Sequence, residues 1–379
     1  MLFHFEIKKA VKKKIIFILL IIMLLSVCVL FYFYQVQNRN QVDFQLEMQQ
    51  ENIRSIKSAI TEVKADPVAS SKKGEVLQEY KRDLKLAEGT LEAIKKKETK
   101  KKLFYQIKEK ENLLEDLEKG NTYTSDPVWK IKQDLALQRV VYQKGYDYNE
   151  MGYATDSYSF SRDILKLLFP YVFIFFVLLV TANIVGGDIE SRKLRFYWAL
   201  PLKRNNLMTS KILATFLISF VSLMLLVTGA FLLGALGGSK GHFDYPVVVQ
   251  TAQNNFKLVD IGLFIIQFFI LAIFTVFFLV VLFECLMLLC RNSIIVISII
   301  LGLIFLTNFL IGFAKNLTGL LVVINPFSYT NITAIIDGSL AVQTGQAINW
   351  AVGSIILFLY TVTLFFLSKL LLKKEELVY

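Results

Sequence analysis

The residues best placed to do chemistry gather in one segment. It reads Gly186-Gly187-Asp188-Ile189-Glu190-Ser191-Arg192-Lys193-Leu194-Arg195-Phe196-Tyr197-Trp198-Ala199-Leu200-Pro201, followed by Leu202-Lys203-Arg204 and, seven residues on, Lys211. Leu194, Tyr197, Trp198 and Pro201 fall at i, i+3, i+4 and i+7, so a helix here carries an apolar stripe while Arg192, Lys193 and Arg195 face elsewhere. Pro201 stops that helix. The chemistry is contact rather than bond making. Such a helix either rests at a membrane interface or receives a push from a soluble motor, with Glu190 and Arg195 setting register and Phe196, Tyr197 and Trp198 supplying buried area.

Other chemistries are largely excluded. Two histidines, His4 and His242, cannot build a histidine-based metal site or an H-E-x-x-H protease, and they weaken any Ser-His-Asp arrangement. Cys28, Cys285 and Cys290 lie in or beside apolar blocks, which leaves neither a disulfide framework nor a zinc cluster for the polar part. No Gly-Lys dipeptide occurs, so the chain holds no G-x-x-x-x-G-K-[ST] phosphate cradle. Glu284, at the edge of an apolar block, marks a pathway or a proton or cation site, or else snorkels to the interface or pairs with Arg291. Asn183 and Asn308 suit interhelical hydrogen bonds or a substrate route.

The elements that position these residues follow from hydropathy. Of 379 residues 55% are apolar and 19% charged, with a mean hydropathy of +0.51, which rules out a water-soluble globule. Six apolar blocks predict spans at 15–34, 164–186, 212–236, 261–283, 293–313 and 350–372, each long enough to cross about 30 Å of hydrocarbon. The first is too long for a signal peptide and ends Phe31-Tyr32-Phe33-Tyr34, an aromatic anchor. Lysines and arginines crowd residues 1–14 and 187–211, Arg291 sits in 284–292 and Lys373 and Lys374 follow the last block, whereas the loops 237–260 and 314–349 hold only Lys240, Lys257 and Lys315. The positive-inside rule therefore predicts a multi-pass protein of a cell membrane with both termini cytoplasmic and the insert 35–163 outside. That insert balances 23 Lys/Arg against 22 Asp/Glu, so an excess of +10 out of the net +11 sits on the flanks of the spans and points to membrane lipid, not nucleic acid.

The insert reads as helices. Ile53, Ile56, Ile60 and Val63 form one stripe; Leu77, Tyr80, Leu84, Ala87, Leu91 and Ile94 a second; Leu103, Ile107, Leu114 and Leu117 a third, ended by Gly120-Asn121. Asp66-Pro67 to Gly74 predicts a turn. A small helical hairpin or bundle standing on the first two spans is expected, without disulfide or metal. The runs Lys95-Lys96-Lys97 and Lys100-Lys101-Lys102 read as a solvated face interleaved with Glu92 and Glu98, or as an attractor of anionic lipid or wall polymer. The fold class expected is all-α, six transmembrane helices with an extracellular helical domain between the first and second.

Here the sequence resembles the permease subunits of ABC-2 type transporters, whose loop between spans two and three carries Glu, an apolar stretch, P-x-x-R and a Lys seven residues on. Glu190, Pro201, Arg204 and Lys211 match that spacing, while Arg192-Lys193 stands where Gly-Thr is usual. Phe5-Glu6-Ile7-Lys8-Lys9 is similar to the family's interfacial helix before span one, and Asn325-Pro326-Phe327-Ser328-Tyr329 to its Pro-centred re-entrant hairpin. The resemblance implies a bacterial exporter subunit with no ATPase site and no cofactor of its own. ATP and Mg would be held by partner ABC ATPase subunits, and a second permease copy or a related permease would complete the pair. It also implies that Glu190, Arg195, Trp198, Pro201, Arg204 and Lys211 serve ATPase coupling, on a coupling helix over about 188–200, and that Glu284, Asn308, Asn325 and Pro326 border a pathway. With 32 Phe and 16 Tyr, a cavity between paired subunits would suit an amphipathic or apolar cargo such as a peptide, antimicrobial or lipid-linked molecule, although aromatic residues also face lipid routinely. The competing reading is a membrane sensor or immunity protein whose outer domain binds a peptide. Gly186-Gly187-Asp188 is similar to the G-x-G-D of aspartyl intramembrane proteases, but the spacing differs and no second intramembrane Asp is present.

Overall fold

Apolar blocks bounded by basic flanks become helices because only an internally hydrogen-bonded backbone is tolerated in hydrocarbon. A computed structural model describes residues 2–65, 73–120, 124–148, 152–191, 204–252, 254–313 and 319–376. A short amphipathic helix, α1 (Leu2–Val11), leads into α2 (Lys14–Ala65), 52 residues in one piece. At 1.5 Å per residue α2 is about 78 Å long, far more than a bilayer needs. Residues 35–65 contain neither Gly nor Pro, so nothing breaks the helix where it leaves the apolar block.

The distal half of α2 packs with α3 (Lys73–Lys95), α4 (Thr99–Glu118) and α5 (Val128–Lys144). The sequence stripes supply the interior: Ile53 and Ile60 from α2, Ala87 and Ile94 from α3, and Leu103 and Ile107 from α4 are buried. A fourth stripe, Ile131, Leu135, Gln138 and Val141, escaped the sequence reading. Gly145 ends α5 at φ 73°, with its N–H bonded to Tyr142 O at 3.1 Å and that of Tyr146 to Val141 O at 3.1 Å, the double bond of a Schellman cap. The lysine runs lie on an exposed face, with Lys96 2.5 Å from Glu92 and Lys101 2.9 Å from Glu98. Of the expected turn over 66–74, residues 66–72 lie outside the described residues, and Lys73 and Gly74 already open α3.

Among the described residues six helices are long and apolar enough to span a membrane: the start of α2, α6 (Ser157–Glu190), α7 (residues Asn206–Gly237 of a helix beginning at Arg204), α8 (Ile261–Cys290), α9 (Ser293–Phe313) and α13 (Trp350–Lys373 of Trp350–Glu376). This is a multi-pass membrane protein. The apolar windows of α6 and α8 are 67% and 56% buried, against 22–28% in the other four, so α6 and α8 form the centre and the others wrap them. Helix α6 contains two π turns, Phe169–Phe173 and Ala182–Gly186. Pro170 lacks the N–H for the first, and the wider turn absorbs the missing bond without ending the helix.

The chain is not all-α. Residues Pro246–Ala252 (β1) and Asn255–Asp260 (β2) form an antiparallel hairpin before α8, pairing Val247 with Val259 and Val249 with Lys257, with Asn254 at φ 68° in the turn. Its signal was a β-branched run, Val247-Val248-Val249, and an Asn-Asn turn, overlooked because the hairpin is short and abuts a span. Two latches seat the helical domain on it. The Tyr146 hydroxyl donates to both Asp244 carboxylate oxygens at 2.8 Å, and Lys144 lies 3.1 Å from Asp244 and 3.5 Å from Asp260. Those bonds, Tyr146 first and Lys144 next, hold the Asp244 carboxyl below its ordinary pKa, and the bond to Asp244 raises the Tyr146 phenol.

Beyond α9, α10 (Gly319–Ile324), a 3-10 turn (Pro326–Thr330), α11 (Ile332–Ile336) and α12 (Ser339–Thr344) dip back into the bundle before α13. Tyr329 is fully buried there, its hydroxyl donating to Val323 O at 2.7 Å.

Candidate functional site

Four helices meet at the end of the bundle that carries both termini. Helix α1 turns Glu6 and Ala10 inward; α6 contributes Asp188 from its last turn, α7 Lys211 from its second and α8 Glu284. The Lys211 ammonium, 1% exposed, lies 3.0 Å from Glu6 Oε1 and also donates to Asp188 Oδ2. Lys9 Nζ reaches the same Asp188 oxygen at 2.6 Å. Lys13 donates to the backbone carbonyl of Asn183, inside the π turn that loosens the regular ladder of α6. A patch of Leu207, Met208, Leu288 and Leu372 seals the cluster, with Leu2 and Ile189 packed against it.

Charge alone explains why these groups converge. A buried ammonium is tolerated only when paired, and Lys211 sits between two carboxylates from helices 205 and 23 residues away in the chain. Glu284, 1% exposed, lies close enough to feel the Lys211 charge, and its Oε2 has no partner among the described residues. The expectation that Glu284 snorkels to the interface is therefore corrected. It points inward because the surrounding faces of α8 are packed against other helices.

Glu190 has a different place from the one its spacing suggested. It continues α6, and its carboxylate accepts the Ser293 N–H at 2.6 Å, which helps Asn292 cap the first turn of α9. A Cβ on Gly186 would stand 2.1 Å from Ser293 Oγ, so that glycine lets α6 and α9 meet. Of the expected coupling helix over about 188–200, Asp188 to Glu190 continue α6, and residues 192–200 lie outside the described residues. Arg195, Trp198 and Pro201 lie outside the described residues. Arg204 opens α7.

The other predicted residues lie on α9 and on the re-entrant segment, whose Phe327 packs against Phe278 of α8 with ring centroids 5.8 Å apart. The Asn325 side chain accepts the Phe327 N–H at 3.0 Å, capping the 3-10 turn that Pro326 begins, and donates to Thr307 Oγ1 at 3.0 Å. Asn308, next to that threonine, is half-buried. Among the described residues the Asn325 side chain bonds Thr307 and Phe327, not Glu284. Sequence reasoning missed Glu6 and Asp188 as partners of Lys211, and Lys9 as a second partner of Asp188; the one signal was an acid and a base placed inside apolar stretches.

With this geometry in place, a family model described as ABC-2 family transporter protein matches residues 1–377. The chain belongs to the ABC-2 family of transporters. It is thus the membrane component of such a transporter, in a family whose permeases typically lack an ATPase domain and generally pair with ATPase subunits. No curated protein and no solved structure matches it.

In this ABC-2 transporter component the ion cluster closes a loop. Asp188 and Lys211 stand at the two ends of the segment that links α6 to α7, and their contact makes the segment leave and return at one point. Glu6 and Lys9 add α1 to the same knot.

Proposed function

We propose that this chain is the permease half of an ATP-driven exporter, coupling hydrolysis by separate nucleotide-binding subunits to export of an amphipathic cargo. The observation that carries the reading is the loop closed by Asp188 and Lys211 at the end holding both termini. A push on residues 189–210 then moves α6, α7 and α1 as one body, because three helices share one buried ammonium. The basic flanks orient that end to the cytoplasm, where ATP is available, and put the helical domain and hairpin outside. Arg195 and Trp198 dock on the ATPase, while Glu190, Lys211 and Glu284 transmit the movement from within the bundle. Asn308, Asn325 and Pro326 shape the far end of the route. A second permease copy or a related permease completes the pathway.

The experiment is reconstitution of the permease with its ATPase and comparison of wild type with Trp198→Ala. Loss of a large aromatic anchor commonly costs about 2 kcal/mol, roughly thirtyfold in association. ATPase binding and cargo-stimulated hydrolysis should fall while cargo binding holds. A variant that binds its ATPase normally but loses cargo would place the segment in the substrate path instead.

A further inference from the structure

At the far end of the bundle the hairpin, the re-entrant helices and the first turns of α8 and α13 line a half-open pocket of about 950 Å³. That volume is in the upper part of the range that holds small-molecule ligands. Four elements are held in place around it. The Gln250 N–H bonds Asp337 O at 2.8 Å, fastening β1 to the turn between α11 and α12. At that turn Gly338 has φ 75°, and a Cβ there would lie 1.9 Å from Gln250 O, so only glycine lets the two backbones approach this closely. Asn349 accepts the Ala351 and Val352 N–H groups at 3.0 Å, fixing the start of α13 at the pocket wall.

The lining has a definite chemical character. Val249, Val259, Ile336, Val342 and Trp350 supply apolar surface, and Gln267 and Gln346 supply amides. Gln267 interrupts the otherwise apolar first turns of α8, Ile261 to Ile270, and the pocket is where its amide finds a polar use. Among the described residues no Asp or Glu lines the pocket, and Lys257 is the one charged lining residue. The side chains of Lys257, Gln267 and Gln346 have no hydrogen-bonding or ionic partner among the described residues. The N-terminal end of α13, a helix of 27 residues, adds a positive dipole at Trp350.

We propose that this pocket binds an amphipathic monoanion, a molecule with an apolar body and one carboxylate or phosphate group. The anion pairs with Lys257 and the amides; the body lies against Val249, Ile336, Val342 and Trp350. The site stands on its lining alone and requires neither ATPase nor a direction of transport.

The test uses the full chain in phosphatidylcholine nanodiscs with dansylamino-undecanoate and its uncharged carboxamide as fluorescent probes. The carboxylate should bind about tenfold more tightly than the amide, the margin of one charge-assisted contact. Lys257→Gln, at an exposed side chain, should erase that margin and leave amide binding unchanged. Val342→Trp, which fills the pocket, should abolish both, and if it fails to fold the Lys257→Gln comparison decides. Doping the nanodisc with phosphatidylglycerol separates two sources of the anion: displacement of the probe assigns the pocket to a lipid, retention to a soluble amphiphile. Equal binding of carboxylate and amide by the wild type, or an unchanged margin in Lys257→Gln, overturns the proposal. Either result leaves the exporter reading untouched, since that reading depends on the ATPase experiment.

Discussion

Replacing Lys211 with Met leaves Glu6 and Asp188 facing each other in a sealed interior. The Lys211 ammonium is 3.0 Å from Glu6 Oε1, and at an effective dielectric near 20 that contact alone attracts by about 5–6 kcal/mol before desolvation is subtracted. Desolvation offsets much of this, so the intact pair adds little net stability. Removing one partner is different, because an uncompensated charge stays behind, at a typical loss of about 3–5 kcal/mol. Lys9, 2.6 Å from Asp188 Oδ2, softens the loss at that carboxylate. Thermal and denaturant unfolding of the purified chain in neutral detergent should therefore show a large destabilisation for Lys211→Met, with faster amide exchange in α1. A double-mutant cycle with Glu6→Gln should be non-additive by about 1–3 kcal/mol, because Glu6→Gln removes the charge that Lys211→Met strands. A Lys211→Met protein within about 0.5 kcal/mol of wild type, or strictly additive single variants, would refute the view that this ammonium holds the three helices together.

Three further outcomes are expected. Asp244 has a folded pKa below its ordinary value, so its latch to Tyr146 and Lys144 contributes above the ordinary carboxylate pKa, near 4, and is lost as pH falls through the lower folded value; the protection factor of the Tyr146 amide, with the intrinsic pH dependence of exchange divided out, should be flat from pH 5 to 8 and fall in stronger acid. Gly338→Ala combines a left-handed backbone with a close approach to Gln250 O and should destabilise the chain by about 1–3 kcal/mol in thermal unfolding, loosening the hairpin from α12. In a background lacking Cys28, Cys285 and Cys290, Ser191→Cys should resist an impermeant thiol reagent added outside intact cells and react in inverted vesicles; labelling from outside would reverse the proposed orientation.

The sequence by itself determined the six apolar helices, because hydropathy over about twenty residues is a local property that needs no partner. The stripes of the helical domain were legible for the same reason: Leu103 and Ile107 had to face inward wherever their helix landed. Absence of Gly and Pro from residues 35–65 already implied that α2 would not stop at Tyr34, although the drop in hydropathy there read as a boundary. Only the tertiary structure decided which charges pair. Lys211 could have faced lipid headgroups, a partner protein or Arg291's neighbourhood. It is buried against Glu6 and Asp188 because α1 folds back across α6 and α7, and no spacing rule links residues 205 positions apart. The same packing turned Glu190 into a cap for α9 and Glu284 inward. At the far end it brought a hairpin, a re-entrant turn and two span ends around one pocket. Local hydropathy specifies which segments enter the membrane; the partner of a buried charge depends on which helices become neighbours, and that is a property of the packed bundle.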